Sequence, residues 1–406
     1  MSAKPVSCGP RLRPHQTLLA QFLLGVVCVS QRGEQRVIVV RSRGSDNTVY
    51  RIARSLSRGG YDARLLIWDR SRRRVEDPNH RYTIHSFGLR APVDRVEGVP
   101  FLPLFWLYEF AFLLKSKARI YHACDLDTLF PAIIASRITR AKLFYSIIDF
   151  YANNIPTGSF GRAGILARRV IGMLEKIGIG LTDVVALADE ARREEIGGAR
   201  PKKVLLLYNS PEDTVGTSDM EPTVEQRELV VFYAGVLLKD VRGIEQMIEA
   251  VNRVDGVRLI LAGSGPDESY FRELARRTDR VQFIGWIPRY DDLLSEELKS
   301  DVLFRFSDPM HPKTKYESPT KLFEAMMCGK PIIVSDGSSM AAIVREEKCG
   351  IVVQFGDVPA TGAAVLELMN DAQLREQLGK NGRNAYDLKY SWAIMEARLL
   401  DAYATL

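Results

Sequence analysis

The sequence predicts an α/β protein built of two doubly wound parallel-sheet domains, on three observations. Tyr316 to Ser335, YESPTKLFEAMMCGKPIIVS, reads as loop, helix and buried strand. Its helix, Thr320 to Cys328, carries Leu322, Ala325 and Met326 at helical spacing, Gly329 and Pro331 end it, and Ile332 to Val334 is the short all-apolar run of a parallel strand covered on both faces. Arg36 to Trp68 shows the order strand, glycine loop, helix, strand that opens such a domain. The chain has 406 residues, 46% hydrophobic and 26% charged, enough for two full cores.

Taken in order, residues 1–35 form an extension, loose or interfacial, with Lys4, Arg11 and Arg13 ahead of an apolar run from Leu18 to Val29 that is too short to span a bilayer. A signal peptide has the same outline. Residues 36–208 form the first domain. Arg36 to Val40 is its first buried strand, followed by the loop through Gly44, a helix to Leu56 closed by Gly59-Gly60, and the strand Ala63 to Trp68. A single glycine is no dinucleotide fingerprint; Gly44 either lets a substrate approach the backbone or simply turns the chain. Arg70 to Arg74 reads as a solvated basic loop. Phe101 to Leu114, FLPLFWLYEFAFLL, is apolar almost all round and is followed by Lys115, Lys117 and Arg119. Such a helix is either fully buried or lies in a membrane interface.

The strand Ile120 to Ala123 ends in His122, Cys124, Asp125 and Asp127, where open α/β sheets bind ligands. The next strand, Lys142 to Ile147, runs into Asp149. Each aspartate is either a base with a shifted pKa or a helix cap. Asn153 to Gly164 reads as a mobile loop, and Arg168 and Arg169 add positive charge beyond it. Val184 to Ala188 and Lys203 to Tyr208 complete the sheet. Residues 209–228, polar and acidic after Asn209-Ser210-Pro211, are the linker.

The second domain, 229–385, opens with the strand Leu229 to Tyr233. Arg242-Gly243 precedes an amphipathic helix from Ile244 to Val254, and Arg258 to Ala262 leads into the tight turn Gly263-Ser264-Gly265-Pro266. Gln282 to Pro288 is a loop carrying Trp286 and Ile287, and Asp301 to Phe306 is a strand. The helix after residue 317 has chemistry at its mouth. Ser318 is a good N-cap and Pro319 fits the first helical position. With Thr320, these place free N–H groups and a positive dipole end where an anion can sit. Lys321 has the wrong sign for a first turn, and a phosphate shared with the helix start explains it. Glu324, three residues on, faces the same way and can accept two hydroxyls of a ribose. A capped helix with a solvated Lys/Glu pair is the plain alternative. Residues 386–406 form a terminal helix beginning at Tyr390-Ser391-Trp392.

Five cysteines without CxxC spacing and five scattered histidines argue against a disulfide framework or a metal cluster and for a reducing compartment. The net charge of +6 is uneven: residues 1–210 hold 33 Lys and Arg against 18 Asp and Glu, a balance of +15, and the rest carries −9. A basic half points to an anionic surface or acceptor, or is merely a soluble face. The basic residues form no aromatic-interleaved stripe, so a nucleic-acid partner is not expected.

The segment SPTKLFEAMMCGKPIIVS resembles the C-terminal signature of glycosyltransferase family 4, retaining enzymes of the GT-B fold, and a weaker similarity runs from about Arg36 to the C-terminus. The resemblance implies two facing Rossmann-like domains with a cleft between them and a C-terminal helix crossing back to the first. It implies a retaining, metal-independent hexosyltransferase with no cofactor beyond its nucleotide-sugar co-substrate. The acceptor is expected to be a glycolipid, a polyprenyl-phosphate-linked glycan or another glycoconjugate. The expected location is cytoplasmic, peripheral on the inner face of the membrane and held there through the basic first domain.

Residue by residue, the resemblance assigns Arg242, Ser318, Pro319, Thr320 and Lys321 to the diphosphate, Glu324 to the ribose and the backbone near Trp286-Ile287 to the nucleobase, while the Gly44 loop and the Gly263 turn are counted with the substrate-binding residues on their own sequence. His122 and Asp125 match a His-Ala-His-Asp strand end in which the second histidine is Cys124 here; Asp149 stands where His-Glu is common, after Ile148. Asp125 or Asp149 is then left to carry the acceptor-facing proton chemistry. The family's first phosphate-gripping arginine is Val236 in this chain, with Lys239 a nearby substitute. Its paired glutamates stand eight apart, which from Glu324 falls on Tyr316, one place before Glu317; Glu317 is expected to reach a donor-sugar hydroxyl through a shorter loop. Two other readings stay open: a nucleotide-sugar 2-epimerase or hydrolase on the same fold, and a non-catalytic nucleotide-sugar-binding subunit.

Overall fold

A computed structural model describes residues 35–43, 47–70, 81–92, 96–155, 157–215, 228–311, 316–317 and 320–406. Two parallel sheets organise them, one of seven strands and one of six. The chain divides into two compact units, Met1–Leu143 and Phe144–Leu406.

The first sheet runs β3-β2-β1-β4-β5-β6-β7. Its strands are β1 (Arg36–Arg41), β2 (Asp62–Trp68), β3 (Thr83–Phe87), β4 (Ile120–Cys124), β5 (Lys142–Ile147), β6 (Val184–Leu187) and β7 (Val204–Leu206). β1 pairs with β2 on one side and β4 on the other, so Val37 to Val40 are fully buried, as a run of β-branched residues covered on both faces should be. The strand order reverses direction between β1 and β4, and Arg41 and Cys124 end these two strands side by side in register. β3 escapes a sequence reading because TIHSF is an edge strand of mixed polar and apolar residues, none of them fully buried.

Within the first unit, helix Leu102–Ser116 is not the fully buried helix that its sequence allowed. Phe105, Glu109 and Leu113 are buried at intervals of four, while Leu104, Trp106, Leu107 and Tyr108 are exposed. The helix is therefore seated on one narrow stripe and presents the rest of its apolar surface outward. Gly98–Ser116 is long and apolar enough, by length and composition alone, to cross a membrane.

In the second unit, the expected loop Asn153 to Gly164 is a short 3₁₀ turn, Tyr151–Asn154, followed by helix Thr157–Gly180, which breaks at Gly161. The glycines suggested a loop, but they serve one local break and a continuing helix. The six-stranded sheet runs β10-β9-β8-β11-β12-β13, from β8 (Leu229–Val236), β9 (Val257–Ser264), β10 (Val281–Gly285), β11 (Val302–Arg305), β12 (Ile332–Ser335) and β13 (Gly350–Val353). The stretch Gln282 to Pro288, expected as a loop, is mostly the edge strand β10.

The period of two is visible in how this sheet divides its core. Val302, Phe304 and Ile333 join one cluster, with helices Ile244–Val251 and Val358–Asn370. Leu303, Ile332 and Val334 join the other, with helices Thr320–Met327 and Ser339–Glu347. Asp357 caps helix Val358–Asn370 by accepting the Ala360 N–H at 2.9 Å, with proline in the first turn. Helix Trp392–Ala404 returns from this region to β7, where Tyr403 stacks on Phe144 at 5.1 Å and Lys203 donates to Thr405. Tyr403 is 1% exposed. Tyr403→Ala is expected to destabilise the chain by about 3 kcal/mol through the cavity left beside Phe144, seen as a lower urea midpoint in equilibrium unfolding.

Candidate functional site

The start of helix Thr320–Met327 behaves as a built site rather than a solvated pair. Lys321 Nζ lies 2.6 Å from Glu324 Oε2, one turn on, and 3.1 Å from Glu297 Oε1 on helix Tyr290–Lys299. Glu324 is 2% exposed and Glu297 fully buried. The sequence reading gave the first-turn lysine a phosphate as its reason; the structure supplies two carboxyl groups. Glu297 was missed because nothing in YDDLLSEELK marks one acid of four as inward-facing. Burial and the nearby Glu324 charge raise the Glu297 carboxyl to about 8, so it holds a proton at neutral pH. Burial would lower Lys321, but Glu324 and Glu297 outweigh it and keep the amine firmly charged. Thr320 Oγ1 accepts from Asn209 Nδ2 at 3.1 Å, which ties the helix start to the segment after β7. Ser318 and Pro319, like Gly44, lie outside the described residues.

A second cluster lies at the carboxyl ends of β8 and β11, where the six-stranded sheet reverses its strand order. Arg242 forks onto Glu317, Nη1 to Oε2 at 2.5 Å and Nη2 to Oε1 at 3.0 Å. Arg305, the last residue of β11, donates from Nη2 to Glu317 Oε1 at 2.9 Å. Ser307 Oγ completes the set at 3.3 Å from Oε2. Burial would raise the Glu317 carboxyl, but Arg305 and Arg242 hold it down to about 2. Glu317 is thus a permanent anion whose oxygens face guanidinium groups. A role as proton acceptor does not fit it, and the four donors that meet its two oxygens take up its lone-pair sites, so contact with a sugar hydroxyl requires one of them to give way. Lys239, the expected substitute for a cation at 236, instead lies 4.9 Å over the Tyr270 ring.

Gly263 sits beside Gly235 in the β8–β9 register with φ +136, and a Cβ there would meet the Gly235 carbonyl oxygen at 1.9 Å. No side chain fits, so the two strand ends approach backbone to backbone. Trp286 is 67% exposed just past β10, whereas Ile287 packs against the cluster of Phe232, Ala234 and Ala262.

In the first unit, His122 is fully buried on β4, and desolvation lowers it to about 3, so its imidazole is neutral. Asp125 is buried in an ion pair with Arg41 and has φ +67. Neither side chain is exposed to meet an acceptor. Asp127 accepts from Ser42, and its carbonyl takes the Trp106 indole N–H at 2.7 Å. In the second unit, Asp149 is half-buried beside a joint made by Arg192, which donates to Ile148 O at 2.8 Å and pairs with Glu195 at 3.0 Å. A cavity of about 1240 Å³ opens next to it, lined by Phe150, Ile165, Met173 and Ile177 and by the cations Arg169 and Arg200.

The proton on Glu297 fixes the sign of a pH effect. Its folded-state pKa is raised from 4.5 to about 8, so the folded chain binds this proton more tightly than the unfolded chain between those values. Its contribution is fully present below about pH 4.5 and is lost as pH rises through 8. Glu297→Gln is expected to remove a stability loss approaching ~1.4 kcal/mol per pH unit over that window, read from urea unfolding at pH 5, 6, 7 and 8.

Residues 217–385 match the family described as Glycosyl transferases group 1. Among curated proteins, the chain is similar to a lipopolysaccharide core biosynthesis glycosyltransferase, LpsD, of Rhizobium meliloti, with 27% identity over 53% of this chain and 60% of that protein. The chain thus spans about 60% of the length of that relative. Among solved structures, it resembles sucrose-phosphate synthase of Thermosynechococcus elongatus, with TM-score 0.72, 18% identity and coverage of 91% and 98% of the two chains. It also resembles Anabaena HepE, solved with UDP and glucose, with TM-score 0.67, 16% identity and coverage of 92% and 100%. The chain has the GT-B fold, and over residues 217–385 it matches the group 1 glycosyl transferases.

Proposed function

We propose that the protein is a glycosyltransferase that moves a hexosyl group, with retention and without a metal, from a nucleotide sugar to a lipid-linked or other glycoconjugate acceptor. The observation that carries this reading is the pair of clusters in the matched region: Lys321 with Glu324 at a helix start, and Arg242 beside the carboxyl ends of β8 and β11. Ligands of open α/β sheets bind outside the carboxyl ends of the strands, at the point of reversal. In this reading Arg242, Lys321 and the first turn from Thr320 take the diphosphate and stabilise it as it leaves with the bonding electrons. Glu324 holds the ribose hydroxyls. The backbone around Gly263 and Trp286-Ile287 lies against the rest of the nucleotide. HepE, of the same fold, was solved with UDP-glucose, which supports a nucleotide-sugar donor.

The acceptor side rests on different features. The cavity beside helix Thr157–Gly180 combines an apolar floor with Arg169 and Arg200, which suits an amphiphile with an anionic head. Ile165, Leu166, Val170, Met173, Leu174 and Ile177 are exposed along the same helix. An apolar stripe flanked by cations is the pattern of a helix lying in a membrane interface. We therefore place the protein peripherally on the cytoplasmic face of a membrane, with the acceptor drawn from it.

The test is a donor screen by thermal shift with UDP, GDP, ADP and dTDP sugars, followed by transfer of labelled sugar to lipid extracts. One donor class is expected to raise the melting temperature, and the shift to be lost in Lys321→Ala and Glu324→Ala. Turnover is expected to fall by ~10²–10³ in Lys321→Ala, the usual loss of one group aimed at developing charge. Free sugar or an epimer formed without acceptor would turn the reading to a hydrolase or epimerase. Tight binding with no product from any acceptor would turn it to a non-catalytic subunit.

A further inference from the structure

Arg305 has no place in the roles above, yet its position is unusual. It ends β11 with a side chain only 6% exposed, at the reversal point of the six-stranded sheet. Its Nη1 lies 3.4 Å from Tyr233 Oη, and that hydroxyl donates to the carbonyl of Val236, the last residue of β8, at 2.8 Å. Its Nη2 meets the same Glu317 oxygen that Arg242 uses. Among the described residues, two guanidinium groups thus share a single carboxylate, and no other acid pairs with either of them. The Nε–H of each is buried and has no acceptor among the described residues. Two fixed cations against one anion leave one positive charge uncompensated in a largely desolvated place. That is costly unless a further anion completes the set.

Resting on the donor reading above, we propose that Arg305 is a second diphosphate-binding guanidinium, forming with Arg242 a clamp that Glu317 aligns. The clamp explains how the site works with an uncharged residue at 236. The missing cation is not replaced along β8, since Lys239 is occupied with Tyr270, but from the neighbouring strand, through Tyr233. A planar fork suits this task because it can hold Glu317 with one edge and offer donors to phosphate oxygens with another. Glu317, held near full ionisation, keeps both forks in register without neutralising the pair. The ligand class is a pyrophosphate diester, as in a nucleoside diphosphate sugar.

Calorimetric titration of the full chain with inorganic pyrophosphate and with nucleoside diphosphates tests the clamp. Arg305→Gln and Arg242→Gln are each expected to weaken pyrophosphate binding tenfold or more and to flatten its salt dependence. Adding Val236→Arg to Arg305→Gln is expected to recover most of the affinity, which a purely structural ion pair would not do. If Arg305→Gln keeps its melting transition and binds within twofold of the unaltered chain, while Lys321→Ala loses binding, Arg305 is not part of the clamp and the donor site stands. If the unaltered chain binds neither pyrophosphate nor any nucleoside diphosphate, the donor reading and the clamp fall together. Should Arg305→Gln fail to fold, Arg305→Lys keeps the charge without the fork; threefold or greater weakening is then expected, and unchanged affinity overturns the assignment.

Discussion

The arrangement depends on a charge kept out of water. Lys321 is half-buried at the start of its helix, between Glu324 and Glu297. An ammonium in such a place is tolerated only when acids meet it at close range, and those acids are themselves expensive to bury. The structure resolves this by letting Glu297 keep its proton, so one cation faces one carboxylate and one neutral acid. The result links helix Tyr290–Lys299 to helix Thr320–Met327 and fixes where the amine and Glu324 point. A flexible surface lysine could not offer a fixed direction, because a long solvated side chain loses rotamer freedom on being held.

The neighbouring cluster uses the opposite balance. Glu317 is held as an anion by Arg242 and Arg305, and positive charge is in excess. The two clusters differ in what they leave over, the first being nearly neutral and the second cationic. In the donor site proposed above, that difference would give a leaving diphosphate rigid support on one side and uncompensated donors on the other. In the same sheet, Gly235 and Gly263 bring two strand ends to a separation that no side chain permits.

In the first sheet the residues that match a motif are buried side chains with structural partners, or with none of the exposure that their place in the motif suggested. His122 and Asp125 sit where a strand end suggests acid–base chemistry, yet one is a neutral buried imidazole and the other closes an ion pair with Arg41. Arg41 lies 84 residues earlier in the chain and comes alongside only because β1 and β4 pair in register. The groups beside the cavity near Asp149, by contrast, come from helix Thr157–Gly180 and the segment after β6, and no motif marked them.

Local pattern was enough for most of the architecture. The all-apolar runs of β1, β8 and β12, the stop signals at Gly329 and Pro331, and the spacing of Lys321 and Glu324 are properties of neighbouring residues, and short-range chemistry decides them. β3, β10 and β13 were not read as strands because edge strands carry weak or mixed patterns and are stabilised by a partner distant in sequence. The charge states were beyond reach for the same reason. Whether Glu297 holds a proton, Glu317 holds none, or Arg305 stands beside Arg242 depends on burial and on partners 10 to 75 residues apart. Sequence therefore determined which elements form and which side chains could bind an anion. Tertiary structure decided which of them are charged, paired and held in place, because electrostatic free energy is set by distance and solvent exposure, and only the folded chain specifies those.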